Sequence, residues 1–360
     1  MATETATKTY SKIQLLTLNG PEYRRVSTAP PRAPLANEIP LIDLGQIDGD
    51  LAARKEIAQN IRLAAENTGF FYVYNHGISP DLIRNALHQA QAFFDQPINA
   101  KEKVSRRKYE NFQGYHGVGT TQINDTETKD NKETFSIRYD ESNDPLHANS
   151  PTQPTSSSRS LDELWTGVSH LPGFRTATVE FWQQRLNLAR KLVRILALAL
   201  DLEESYFDDV ITHPGADALY IHYPGVVDPS DSANVDVGIG SHTDIQCFTL
   251  LWQDNSGGLQ VLSNEGEWID AKPIEGTFVV NIADFLQRLS NNRFKSTVHR
   301  VYNRQTASRY SMPFFLGFNA DSVCSVVPTC VDEEHPPLYE PISCGKWHHD
   351  RLALASLKKT

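Results

Sequence analysis

The 360-residue sequence is poor in cysteine, and its four cysteines do not have the close spacing of a thiolate metal site. Even the nearest pair, Cys324 and Cys330, is too far apart to form a compact metal clip. A disulfide framework is equally unsupported, so we expect reduced thiols throughout. The four residues are Cys247, Cys324, Cys330 and Cys344.

Long apolar runs are also missing. The longest one, Ile195 to Leu200, is preceded by Arg194 and Lys191 and is far shorter than the roughly 20 residues that a membrane-spanning helix needs. The first residues do not contain the apolar core of a secretory signal. We therefore expect no membrane span and a cytoplasmic location.

Positive charge is in deficit. The chain has 34 Lys and Arg against 44 Asp and Glu, a formal net charge of -10. Because phosphate binding depends largely on Lys and Arg, this balance argues against a nucleic-acid partner. One short basic cluster, Arg106, Arg107 and Lys108, is interpreted as the solvated end of a helix.

Two short segments in the second half contain metal-binding chemistry. His242 and Asp244 are two residues apart, so in an extended strand both side chains project from one face while Thr243 points away. With His299 they would form a two-histidine, one-carboxylate triad, which leaves metal positions open for oxygen and a chelating substrate. A lone His-x-Asp is more often a surface pair or a helix cap, and a zinc hydrolase could use the same three residue types.

The surroundings of these residues are typical of strands. Apolar or alternating runs at 245–252, 259–262, 278–282 and 298–301 are separated by Gly-Gly or Ser-Asn-Asn-Arg turns. The two histidines are therefore predicted to lie on strands of one sheet system. If the first of these strands continues past Asp244, Gln246 lies on the ligand face.

Several ordered segments together resemble a known family. Residues 219–318 are similar to the iron(II)- and 2-oxoglutarate-dependent oxygenases of the isopenicillin N synthase-like type, and the resemblance extends over about 38–357. The segments that carry it are His-Tyr-Pro at 222–224, His-Thr-Asp at 242–244, Gly-Gly-Leu-Gln-Val at 257–261, Val-Val-Asn-Ile-Ala-Asp at 279–284, Ser-Thr-Val-His-Arg-Val at 296–301, Arg-Tyr-Ser at 309–311 and, upstream, Thr-Gly-Phe-Phe-Tyr-Val at 68–73 and Asn-His-Gly-Ile at 75–78.

The resemblance implies an α+β, mainly β fold: a double-stranded β-helix, or jelly roll, with N-terminal helices and a C-terminal helix over about Lys346 to Lys358. The strand pattern alone would predict only an α+β protein with a sandwich. We expect a flexible arm at 1–37, a helical and strand region at 38–204 that packs on the barrel, and the catalytic core at 205–360. These parts would form one structural unit.

The resemblance also implies the roles of site residues. His242, Asp244 and His299 would bind iron(II), and 2-oxoglutarate and oxygen would be the co-substrates. Arg309 and Ser311 would bind the distal carboxylate of 2-oxoglutarate, with Tyr223 as a third donor. The guanidinium group of Arg309 is permanently charged and can donate two parallel hydrogen bonds to a carboxylate. Many plant members have Asn at the position of Ile221, so the resemblance implies that one polar contact near the co-substrate is missing here.

The expected substrate is a small-molecule metabolite, oxidised by hydroxylation, desaturation or ring closure, with release of succinate and carbon dioxide. An oxidase that uses no 2-oxoglutarate, as isopenicillin N synthase does, and a non-catalytic binding protein are the alternatives. The oligomeric state is left open. Core packing explains each candidate pocket residue equally well; the candidates are Tyr115, Phe135, Ile137, Gln246, Phe248 and Phe315.

Overall fold

A computed structural model of the chain describes residues 9–18, 20–109, 113–147, 156–228 and 237–356. Helices of the described part are α1 Leu51–Asn67, α2 Pro80–Phe94, α3 Ile98–Lys101, α4 Ser156–Gly167, α5 Phe174–Ala199, α6 Asp284–Leu289 and α7 Cys344–Ser356. Its strands are β1 Tyr10–Thr17, β2 Gly20–Ser27, β3 Leu41–Asp43, β4 Phe70–Tyr74, β5 Gly114–His116, β6 Glu133–Ile137, β7 Pro214–Tyr223, β8 Ile239–His242, β9 Phe248–Gln253, β10 Leu259–Leu262, β11 Trp268–Asp270, β12 Phe278–Ile282, β13 His299–Val301, β14 Arg309–Asn319, β15 Val323–Cys324 and β16 Ile342–Ser343.

Two sheets pack against each other to form the predicted jelly roll. The larger has eight strands in the order β3-β4-β12-β9-β14-β7-β6-β5, and the smaller has four in the order β11-β10-β13-β8. Apart from the parallel pair β3 and β4, the paired strands run antiparallel. Apolar side chains from both sheets fill the space between them, among them Tyr223 of the larger sheet and Val261 of the smaller one.

A helical layer covers the outer face of the larger sheet. Helix α5 has buried residues at helical spacing, including Trp182, Leu186 and Ala189, and packs its apolar face on the sheet core. Buried Arg185 donates hydrogen bonds from Nη1 to the carbonyls of Met312 and Pro313, at 3.1 and 3.3 Å. These hydrogen bonds fasten α5 to β14.

The two regions divided at residue 204 share this larger sheet. Strand β4 of the first region pairs with β12 of the second, and β6 pairs with β7. The C-terminal helix is present as α7, while Leu357 and Lys358, the last two residues of its predicted range, lie outside the described residues.

The N-terminal arm differs from the prediction. Strands β1 and β2 form an antiparallel hairpin, from which Ile13 and Val26 pack on Leu262, Trp268 and Val298. The expectation of a loose arm over 1–37 is wrong for this hairpin, because its few apolar residues meet partners that are distant in sequence. Residues 1–8 and Asn19 lie outside the described residues.

Within the described ranges, no helix combines the length and the apolar character that crossing a membrane requires.

Candidate active site

Three metal-ligand side chains meet where two neighbouring strands come together. Strand β8 ends at His242, which pairs directly with His299, the first residue of β13. Asp244 Oδ1 lies 3.6 Å from His242 Nε2 and 3.8 Å from His299 Nε2. One ligand atom from each residue lies within 4.8 Å of the other two, so a single metal ion could be bound by all three.

The strand that contains His242 ends earlier than predicted. Because β8 ends at His242 and β9 begins only at Phe248, Thr243, Asp244 and Gln246 lie in the connection between them. The strand pairing therefore ends before Asp244, and the bends at 245–247 show that the strand does not continue to Gln246. The ligand atoms of His242 and Asp244 lie close together nonetheless.

Hydrogen bonds orient each ligand. His242 Nδ1 lies 2.8 Å from the carbonyl of Gly240, and His299 Nδ1 lies 3.2 Å from the carbonyl of Thr297. Each Nδ1 can donate to its carbonyl, which leaves Nε2 as the metal-binding atom.

The carboxylate of Asp244 is held in the same way. Its Oδ2 accepts hydrogen bonds from Thr249 Oγ1 at 2.5 Å and Asn281 Nδ2 at 2.8 Å. These two donors occupy one oxygen and leave Oδ1 directed at the imidazoles, as required of a one-oxygen metal ligand.

The protonation states suit a metal. Burial opposes the ionised form of Asp244, but the two imidazoles and the hydrogen bonds outweigh it and hold the pKa of Asp244 well below its usual range. Burial, with the neighbouring His242, lowers the pKa of His299 to about 4. Metal ligands must be deprotonated. At neutral pH the carboxyl group of Asp244 and the imidazole of His299 both meet this requirement. Two imidazoles and one carboxylate on one side of a metal fit ferrous iron with open positions for co-substrates.

Arg309 is a fully buried cation on β14. It lies opposite Tyr223 of β7, and its guanidinium carbon is 4.6 Å from the centre of the Tyr223 ring. Nε donates to the Gly257 carbonyl at 2.6 Å and Nη2 to Gln253 Oε1 at 3.1 Å, while Nη1 is buried with no hydrogen-bond partner. A buried unused donor on a charged group is costly, and a carboxylate would satisfy it.

Ser311 lies next to Tyr223, the residue whose ring the guanidinium group of Arg309 covers. Ser311 Oγ is 3.5 Å from Tyr223 Oη, and both are buried. Ile221, which pairs with Ser311 across β7 and β14, lines the cavity that also contains Asp244. Arg309, Ser311 and Tyr223 do not line this cavity themselves; the contact with it is made by their strand neighbour Ile221.

This cavity has a volume of about 320 Å³. Gln246 and Phe315, two of the six predicted pocket residues, line it, together with His242 and Asp244. Most of the other lining residues, which the sequence did not indicate, are charged or aliphatic. They are Arg106, Thr121, Gln122, Ile123, Asp130, Lys132, Arg138, Asp217, Leu219, Ile221, Ile239, Thr243, Ile245, His348 and Leu352.

The other four predicted pocket residues belong to the core on the opposite face of the sheet. Phe135 pairs with Tyr220 and Ile137 with Ala218, and directly paired residues point to the same face, which here is covered by α5. The remaining two are held in the same layer: Tyr115 donates to Glu133 Oε2 at 2.7 Å, and Phe248 pairs with Leu316. Their assignment to the pocket is wrong.

Comparison with known proteins identifies the family. Residues 39–157 match the N-terminal family model described as non-haem dioxygenase in morphine synthesis, and residues 215–318 match that of the 2OG-Fe(II) oxygenase superfamily. A 2-oxoglutarate-Fe(II) type oxidoreductase, ppzC of Metarhizium rileyi, is 41% identical over 98% of this chain and 97% of its own length. The chain belongs to the 2-oxoglutarate- and iron(II)-dependent oxygenases.

Solved structures agree with this membership. Neurospora crassa T7H in complex with α-ketoglutarate is 31% identical, has a TM-score of 0.74 and covers 89% of this chain and 98% of its own. JOX2, in complex with 2OG, Fe and JA, is 28% identical with a TM-score of 0.68 over 91% of this chain and 88% of its own. The predicted jelly-roll oxygenase that uses iron(II) and 2-oxoglutarate is thereby confirmed, in preference to an oxidase without 2-oxoglutarate or a non-catalytic binding protein.

Proposed function

We propose that His242, Asp244 and His299 bind the iron(II), and that Arg309, Ser311 and Tyr223 bind the distal carboxylate of 2-oxoglutarate. The observation that carries this assignment is the approach of three ligand atoms to within 4.8 Å of one another beside a cavity. When bound, the iron supplies the oxygen chemistry that couples decarboxylation of 2-oxoglutarate to oxidation of a substrate. Succinate and carbon dioxide are the co-products.

The chain's own residues place the reactants. Thr249 and Asn281 fix the carboxylate of Asp244, and Arg309 offers the unused Nη1 donor to an incoming carboxylate. Since His242 and Asp244 border a cavity that apolar side chains partly line, one C–H bond of a bound molecule can be held near the metal. Such placement is the main contribution of the protein in a cofactor enzyme.

The substrate that we propose is a small-molecule metabolite. A volume of about 320 Å³ falls at the lower end of typical ligand pockets. Neurospora crassa T7H has been crystallised with thymine, which supports a substrate of this size. The net charge of -10 opposes a nucleic-acid substrate. The four free cysteines support the cytosol as the location that we propose.

Single alanine substitutions at His242, Asp244 and His299 test the metal assignment. Because three ligands leave no spare donor, each variant should lose ferrous binding and succinate formation while its circular dichroism spectrum stays unchanged. His335→Ala is a matched control, since His335 is exposed and hydrogen-bonded to Asp332 away from this site. Normal iron binding in any of the three variants would overturn the assignment.

A further inference from the structure

The wall of the cavity beside the metal ligands contains a buried amide, that of Gln246. Its Nε2 donates a hydrogen bond to Asp217 Oδ2 at 3.1 Å. Its Oε1 is also buried, but it has no hydrogen-bond partner among the residues that the structure describes. Because an unpaired buried acceptor destabilises a protein, a ligand that supplies a donor to Oε1 would gain affinity from the pairing.

Asp217 determines which end of this amide is left for a ligand. Its Oδ2 accepts hydrogen bonds from Gln246 Nε2 and from Arg138 Nη1. If the two ends of the amide were exchanged, Oε1 would face this carboxylate oxygen, and two acceptors would meet without a hydrogen between them. The amide nitrogen therefore stays at Asp217, and Oε1 is the atom that a ligand can use.

One side of the amide is covered by backbone. A Cβ built on Gly317 would lie 3.2 Å from Gln246 Cδ and 3.4 Å from its Oε1, and a Cβ on Gly215 would lie 3.3 Å from its Nε2. Glycine at both positions lets β7 and β14 pack directly against the amide. A donor from a ligand would therefore approach from the other side, that of the cavity that Gln246 lines.

The charged side chains of the lining balance one another. Three are carboxylates and three are cations: Asp130, Asp217, Asp244, Arg106, Lys132 and Arg138. Lys132 Nζ lies 3.1 Å from Asp130, and Arg138 contacts Asp217. Because these charges show no excess of either sign, an uncharged N–H or O–H group suits Oε1 better than an ion does.

Arg106 is the member of this balanced set that the sequence placed in solvent. Arg107 and Lys108 of the same basic cluster are exposed, as predicted, whereas Arg106 is half-buried and lines the cavity. The interpretation of the cluster as a solvated helix end is therefore wrong for Arg106.

Much of the remaining lining is apolar. The side chains that provide this surface are Leu219, Ile221, Ile239, Ile245 and Phe315. In such surroundings a molecule without a donor would leave Oε1 unpaired, so one hydrogen bond discriminates strongly between otherwise similar molecules.

We propose that Gln246 determines substrate specificity by accepting, at Oε1, a hydrogen bond from an uncharged N–H or O–H group of the substrate. The substrate class is therefore a small neutral molecule with an amide N–H or a hydroxyl on an otherwise apolar body. This inference rests on the function proposed above for the same cavity. Because Gln246 and Asp244 line one cavity, the hydrogen bond would fix the position of the substrate relative to the iron.

A binding experiment with matched pairs of probes tests the proposal. Enzyme loaded anaerobically with iron(II) and saturating 2-oxoglutarate is incubated with an equimolar mixture of small lactams, their N-methyl derivatives, small apolar alcohols and their methyl ethers. Retained compounds are measured by ultrafiltration and mass spectrometry. The readout is the ratio of each donor to its methylated partner, and the two kinds of pair distinguish an N–H from an O–H donor.

The donor should be retained in preference to its methylated partner in at least one kind of pair. Gln246→Met, which keeps a side chain of similar length without an acceptor, should lower that ratio about tenfold or more. A general change in cavity shape would affect both members of a pair, whereas loss of the acceptor affects the donor alone. Gln59→Met, the same substitution at an exposed position of α1, is the matched control and should keep the wild-type ratio.

Three results would overturn the proposal: equal retention within every pair, no retention of any probe, or the same ratio in Gln246→Met and Gln59→Met. Binding of iron(II) and 2-oxoglutarate is measured in the same samples. If the wild type binds neither, the proposed function fails, whereas normal binding of both with no preference for donors overturns only the role of Gln246.

Discussion

Replacing Arg309 by glutamine should weaken 2-oxoglutarate binding without removing iron. In the structure Nε and Nη2 of Arg309 are engaged by Gly257 and Gln253, and only Nη1 is buried without a partner. The carboxylate of 2-oxoglutarate would therefore meet Nη1 first and could gain a second contact by sharing Nη2. Glutamine keeps a neutral donor and loses the charge.

The expected magnitude follows from one lost charge-assisted hydrogen bond. Such a bond contributes roughly 1.5–3 kcal/mol, which corresponds to a roughly 10- to 150-fold increase in the Kd for 2-oxoglutarate. Arg309→Lys should recover only part of this, because one ammonium cannot bind the Gly257 carbonyl, Gln253 and the ligand with the geometry of a fork.

The assay measures 2-oxoglutarate and iron affinity separately. Calorimetric titration of the iron-loaded protein gives the Kd for 2-oxoglutarate, and competition with a chromophoric chelator gives the affinity for iron(II). Arg304→Gln, an exposed arginine five residues upstream, is the matched control. An unchanged Kd in a folded Arg309→Gln protein, or an equal loss of iron affinity, would refute the reasoning.

Three further predictions concern the metal ligands and their neighbours. Asn281→Leu removes one donor to Asp244 Oδ2 and should lower iron(II) affinity about 10- to 100-fold in chelator competition; unchanged affinity would contradict the orienting role. Thr243 donates to Asp284 at 3.1 Å, so Thr243→Val should keep iron and lose about 1 kcal/mol of unfolding free energy in urea titrations. Loss of iron there would show that Thr243 supports the ligands. In metal-free protein, the His299 pKa is lowered from 6.5 to about 4, so the unfolded state binds the proton first as pH falls. Stability should therefore decline between these two pH values and less so in His299→Gln, as measured by Tm; equal declines would refute this source of pH dependence.

The three proposed metal ligands could be selected from the sequence because their chemistry is local. His242 and Asp244 are two residues apart, and His299 starts a strand that pairs with the one ending at His242. The structure brings one ligand atom of each residue to within 4.8 Å of the other two, although the pairing of β8 ends before Asp244. Residue types and spacing were enough to select these candidates, whereas the exact backbone path was not needed.

The pocket walls could not be predicted because they depend on strand register. A shift of one residue moves a side chain to the other face of a sheet, so an aromatic residue in a strand is equally compatible with core and pocket. In β6 the pairing places Thr134 and Ser136 on the face of Ile221 and Leu219, which line the cavity, and turns Phe135 towards the helices. The sequence nevertheless contained one residue from which the inward-facing positions of β7 could be counted. Tyr223, assigned to the co-substrate, fixes the inner face of β7, and counting back by two along that strand gives Ile221, Leu219 and Asp217. All three line the cavity. Counting every second residue along a strand, from a residue whose role is already assigned, therefore predicts the pocket walls better than aromatic character does.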